Sequence, residues 1–240
     1  MRKQQVQALI EHVKEDLKKI ENEYRDSIAS KAIKPSLQID VKNVMENIRS
    51  SFDYLAHDIY DKCIESGLLA SNTQEIRDVY FPYGKDENGF KSTLGKSLPQ
   101  LKTRCPKMFD IVEGIQPHKS GSNWLYDLCT ICNQNKHNTL TPQKRRVVKK
   151  TYAVSPKGSN ASISAPAGAI KAPPGAIRIG GQPLIFDENT GIPVPTPGLD
   201  VKVTNWVGIS FSDTNIDVLP LLRTATSELE RISNEIYSNL

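Results

Sequence analysis

The sequence predicts a mainly α, α+β protein: an antiparallel helical bundle with a small β-rich insertion before its last helix. Three observations lead there. Long segments near both ends repeat apolar residues every three or four positions, the period of a helix with one buried face. Residues 156–198 hold 8 of the 15 prolines and 7 of the 14 glycines, so no long helix forms there. Residues 199–211 then alternate apolar with polar, the period of a strand. The expected organisation is a bundle over 1–143, a β-rich insertion over 144–212 and a closing helix over 213–240.

The elements follow in order. Val6, Leu9, Ile10, Val13, Leu17, Ile20 and Ile28 mark a helix over 4–30. Pro35 interrupts it, and Ser36 or Asp40 is expected to cap the next helix. That second helix, 38–66, places Val41, Val44, Ile48, Phe52, Leu55 and Ile59 on one stripe, with Gly67 as its stop. Phe81-Pro82-Tyr83-Gly84 and Asn88-Gly89 read as loop. Two short helices are expected near 91–102 and 106–115, then a turn at Gln116-Pro117-His118. Asn123 caps a helix over 124–139 with Trp124, Leu125, Leu128, Ile131 and Cys132 on its apolar side. Short strands are expected at 147–154, 176–179 and 184–186, and a half-buried one at 199–211. The last helix, 214–239, buries Leu222, Ala225, Leu229, Ile232 and Ile236, with Pro220 tolerated at its start.

Composition narrows the function classes. The chain of 240 residues is 38% hydrophobic and 24% charged, ordinary for a globular protein. A net charge of +4 is too small by itself to argue for nucleic acid. Residues 1–20 are charged throughout, so no signal peptide is expected, and no stretch approaches the roughly 20 apolar residues of a membrane span. The four cysteines form no regular framework, which suits a reducing, cytoplasmic setting. No Walker loop, nucleophile elbow or dinucleotide fingerprint occurs, and no cofactor is expected.

One polar pattern stands out. Each helical residue advances about 100°, so with Ile48 at zero, Arg49, Asp53 and His57 fall at about 100°, 140° and 180°. They form a polar ridge spaced i, i+4, i+8. On the later helix Asn135 falls on the apolar stripe, where a buried amide needs partners, and Arg49 or Asp53 is a plausible one. Lys136 borders that stripe, and Asn133 and His137 point further round. Two readings stay open. The residues form either a buried polar clasp that fixes helix register or a site for chemistry.

The run Ile48-Arg49-Ser50-Ser51-Phe52-Asp53-Tyr54-Leu55-Ala56 resembles the R-S-x-L-D-x-L-A helix of a large group of bacterial and phage proteins. Trp124-Leu125, Leu128 and Asn133-Gln134-Asn135-Lys136-His137 resemble their L-W-x-L and N-x-D-K-H-R helix, and the Phe81-Pro82 and Gln116-Pro117 landmarks fit too. These proteins resemble HEPN-like helical domains, many of them metal-independent ribonucleases of toxin–antitoxin and antiviral systems. Such domains pair an Arg and a His four to six residues apart on one helix, often completing the site by dimerisation. Here Arg49 and His57 have seven residues between them, and Asn135 and Asn138 replace the expected Asp and Arg.

The resemblance implies an RNA-cleaving or RNA-binding role. His57 or His137 would act as acid and base, Arg49 and Lys136 would hold the phosphate, and Asp53 would orient them. Asn133, Asn135, Arg145 and Arg146 would contact substrate. RNA, a second copy of the chain and an antitoxin or other protein are the partners this implies. The alternative is a non-catalytic helical interaction protein whose Arg/Asp/Asn/His cluster is structural.

Two other groups have bland counterparts. Cys129 and Cys132 make a C-x-x-C with no second close pair, so packing outweighs a metal or redox site. Lys144, Arg145, Arg146, Lys149 and Lys150 form either a phosphate-binding edge or a charged edge strand that resists aggregation.

Overall fold

The apolar stripe of the first helix predicts a partner, and two are present. The computed structural model describes residues 1–65, 79–137, 142–212 and 214–240, without the side chains of Glu65, Lys136 and His137. Helix α1 (Lys3–Ser30) buries Val6, Ile10, Val13 and Ile20. It packs on α2 (Pro35–Tyr60) and on the last helix, α8 (Val218–Tyr237). Pro35 does not merely interrupt: it occupies the first turn of α2, where its missing N–H costs nothing. Neither Ser36 nor Asp40 caps that helix. Lys34 takes the cap position in extended backbone, and the Ser36 hydroxyl donates to Glu23 instead.

Helix α2 is the element that most of the core touches. It packs against α1, α8 and α7 (Trp124–His137), and its register continues into a single π-helical turn, Asp61–Glu65. Gly67, expected to stop it, lies outside the described residues. Four short helices lie between: α3 (Glu87–Ser97), α4 (Leu101–Arg104), α5 (Pro106–Gly114) and α6 (Pro117–Ser120). Asn88-Gly89, expected in a loop, is the first turn of α3. Asp86 caps that helix by accepting from the Gly89 N–H at 2.8 Å, and a cap of that kind outweighs the turn preference of the dipeptide. Gln116-Pro117-His118 likewise enters a helical turn rather than a simple bend.

The chain divides into two compact units. The first is Met1–Lys144 with Ile209–Leu240. Its core runs from Val6 through Phe52, Phe81, Trp124 and Leu128 to Ile236. The second is Arg145–Gly208, with a small core of Tyr152, Val154, Ile179, Leu184 and Leu199.

Strands β1 (Gln143–Pro156), β2 (Ile163–Pro166) and β5 (Leu199–Phe211) form one sheet in the order β2-β1-β5, while β3 (Ile177–Ile179) and β4 (Gln182–Leu184) form a hairpin. β2 went unforeseen because its sequence, Ile-Ser-Ala-Pro, has almost no apolar pattern. Phe186, expected in the last short strand, falls outside β4 and makes an isolated bridge to Pro193. β5 departs from the half-buried strand its alternation predicts. Residues 202–206 are exposed in succession, and 208–211 are buried in succession. Among the described residues, no helix is long and apolar enough to cross a membrane.

Candidate functional site

Arg49 and Asp53 meet as their spacing requires. One turn apart on α2, they place Arg49 Nε 3.4 Å from Asp53 Oδ2. That bond is long, and the other contacts of both groups explain why. Asp53 uses Oδ1 to accept the backbone N–H of Phe81 at 2.9 Å. The Arg49 guanidinium lies over the Tyr83 ring, 4.8 Å from its centroid, in cation–π geometry. Only 11% of the Arg49 side chain is exposed.

The Phe81-Pro82-Tyr83-Gly84 run is therefore held at every residue. Phe81 is tied to Asp53 and packs on Phe52 with ring centroids 4.9 Å apart. Gln116 is fully buried and holds the next turn. Its amide donates to Pro82 O at 3.0 Å and Val112 O at 3.1 Å, and its oxygen accepts from Gly84 N–H at 3.2 Å. Tyr83 O accepts from the Thr93 hydroxyl, and the Tyr83 hydroxyl accepts from Asn133 Nδ2 at 2.8 Å. Sequence reading treated these residues as landmarks and missed their role. No local signal marks a glutamine as buried or a tyrosine as the plate beneath an arginine.

The electrostatics of Arg49 follow from this enclosure. Burial works to lower its pKa, but the nearby Cys129, Asp53 and Tyr83 outweigh burial, and the net direction is up. The guanidinium is thus a permanent cation with a committed counter-ion and a committed stacking partner. Its Nη1 is buried and finds no hydrogen-bond acceptor among the described residues.

The other expected site residues are placed as follows. His57 is half-buried on α2, one turn beyond Asp53, and is not part of the clasp. Asn133 is exposed and reaches Tyr83, while Asn135 is half-buried. The side chains of Lys136 and His137, and all of Asn138, lie outside the described residues. Arg145 and Arg146 are half-buried and belong to the second unit. Cys129 and Cys132 are both buried and form no disulfide, and the described residues contain no group of His, Cys, Asp and Glu that could hold a metal.

A second polar cluster escaped the sequence. Asp58, also on α2, is fully buried and accepts four hydrogen bonds. The Arg2 N–H donates to both of its oxygens at 3.0 and 2.7 Å, Arg2 Nη1 donates at 3.1 Å, and the Tyr237 hydroxyl donates at 2.8 Å. It joins the start of the chain, α2 and α8 through one carboxylate.

No family model, curated protein or solved structure matches this chain.

Proposed function

We propose that this is a non-catalytic helical interaction protein in which the Arg49–Asp53 cluster is a structural clasp. One observation carries the reading. Arg49, the described residue best suited to hold a phosphate, is already engaged: it stacks on Tyr83 beside Asp53, which is itself bonded to the Phe81 backbone. A phosphate site needs donors turned toward a ligand. Here the Arg49 guanidinium turns toward a loop of the same chain. On the same reading the first unit is an antiparallel bundle and the protein works in the cytoplasm.

The test is a stability series. Asp53→Ala strands the Phe81 N–H and the Arg49 charge, which costs about 1–3 kcal/mol for a buried group left unpaired. At roughly 2–4 °C per kcal/mol for a unit of this size, the melting temperature falls by several degrees. Asp53→Asn keeps an acceptor for Phe81 and falls less. Equal melting temperatures for all three proteins would overturn the clasp.

A second reading is a metal-independent ribonuclease, with His57 and His137 as acid and base, Arg49 and Lys136 on the phosphate and a second copy completing the site. The half-buried position of His57 outside the clasp favours it. It expects RNA cleavage in the presence of EDTA, abolished by His57→Ala or His137→Ala. Cleavage with that pattern would replace the first reading, whereas intact RNA after incubation with the wild-type protein removes the second.

A further inference from the structure

The second unit presents a surface that the clasp does not involve. β2 pairs with residues 151–154 of β1, from Thr151 opposite Pro166 to Val154 opposite Ile163. Residues 145–149 lie beyond this register and have β5 beside them, and the Lys150 carbonyl accepts from the Ala167 N–H at 2.9 Å just past β2. The β1–β5 pair runs antiparallel: Ser212 N–H bonds Pro142 O at one end, and Lys157 N–H bonds Gly198 O at the other. Along this ribbon residues 147–150 are all exposed, and so are residues 202–206. Successive strand residues point to opposite faces, so both faces of the ribbon carry exposed residues. Val147, Val148, Val203 and Trp206 are 47%, 44%, 42% and 54% exposed, and the Trp206 indole N–H donates to the Thr151 hydroxyl across the ribbon at 3.1 Å.

Charge is concentrated in the same unit. Arg145–Gly208 carries eight Lys and Arg against three Asp and Glu, a net +5, while the rest of the chain carries 23 against 24, a net −1. The overall +4 thus hides a strong asymmetry. On β1 the cations divide between faces by alternation. Arg145 and Lys149 flank Val147 on one, and Arg146 and Lys150 flank Val148 on the other.

We propose that this ribbon is a duplex-DNA-binding element that docks in the major groove. A flat anionic surface would meet the cations of one face and leave the other unmatched. The major groove of B-form DNA, about 12 Å wide, admits a two-stranded ribbon between two rows of phosphate. One face then presents its valine to base edges, where thymine methyl groups offer apolar contact. The long cationic side chains of the other face reach past the strand edge to the groove rims. Duplex RNA is excluded because its major groove is too deep and narrow. Single strands are bound by aromatic stacking platforms, and Trp206 is the sole aromatic in the exposed stretches.

Fluorescence anisotropy with labelled mixed-sequence duplex DNA of about 20 base pairs, at about 100 mM salt, tests this on the full-length protein. Lys149→Glu and Lys150→Glu, one on each face, each weaken binding about tenfold or more, and Lys149→Gln/Lys150→Gln weakens it with less perturbation. Lys18→Glu/Lys34→Glu, on exposed positions of the first unit, leaves it within about twofold. The logarithmic salt dependence has a slope of about −3 to −4, shallower by about one for each lysine removed. In a Trp124→Phe protein, DNA shields Trp206 emission from acrylamide. Circular dichroism checks that each variant folds. Absent duplex binding, equal or tighter binding of duplex RNA or single strands, equal losses in the first-unit control, or loss from only one face would each overturn the proposal.

Discussion

Gly84 has no side chain because the loop leaves no room for one. A Cβ at this position would overlap the Phe90 amide nitrogen and stand 2.8 Å from the Phe90 Cα, both backbone atoms that cannot swing aside. The glycine is also bonded through its N–H to the buried Gln116, so it cannot retreat. Gly84→Ala is expected to cost about 1–3 kcal/mol, the usual penalty for overpacking a fixed site. Calorimetry would show this as a clear fall in melting temperature, and an unchanged value would mean that the loop is not clamped. Arg49 shows how far sequence reaches at this scale. Its spacing from Asp53 and its place at the edge of the stripe were legible from helical period alone. Tyr83 and the Phe81 backbone were not, because they come from a loop whose path depends on the fold. The expectation that a side chain of the later helix meets this cluster drew on the right helix, since Asn133 reaches the clasp through Tyr83.

At the scale of elements, α2 carries two clasps on one rod: Arg49 and Asp53 hold a loop, and Asp58 holds Arg2 and α8. The second has a pH signature. Burial first, and then its hydrogen bond to Asp58, raise the Tyr237 pKa above the ordinary tyrosine value near 10. Above about pH 10 the unfolded chain releases this proton while the folded protein retains it, so unfolding is increasingly favoured. The stability linked to Tyr237 is full below that pH and falls as pH rises toward the folded-state value. Tyr237→Phe removes both the hydrogen bond and this slope. The variant should therefore melt below wild type at pH 8, and the gap should narrow by pH 11. A constant gap across that range would contradict the burial of the hydroxyl. Strand β5 teaches a different lesson at this scale. Alternation in sequence correctly gave a strand, but it records residue types and not neighbours. Lys202, Val203, Thr204, Asn205 and Trp206 are all exposed, while Ile209 to Phe211 lie in the core of the first unit.

For the whole molecule, the cores of the two units differ greatly in size, and stability should follow. Five buried residues support the second unit, whereas the first has a continuous core drawn from α1, α2, α5, α7 and α8. A small core offsets less of the entropy lost on folding, so the second unit should melt first. The rise in proline and glycine at 156–198 located its interior from sequence, but its limits at Arg145 and Gly208 depend on where two strands cease to touch the helical core. The first unit also closes on itself without the insertion. Ser212 N–H bonds Pro142 O at 2.6 Å, and Lys144 Nζ bonds Ser212 O at 2.6 Å, so the chain leaves and returns at neighbouring points. Replacing Arg145–Gly208 by a short turn containing Asn-Gly, a dipeptide suited to joining adjacent antiparallel strands, should therefore leave the helical unit intact. Scanning calorimetry of the intact chain should show two transitions, with Leu184→Ala lowering only the first. The shortened chain should keep only the upper one, within a few degrees, with its helical circular dichroism preserved. If excision instead abolishes the upper transition, the helical core depends on the insertion, and the two units fold as one.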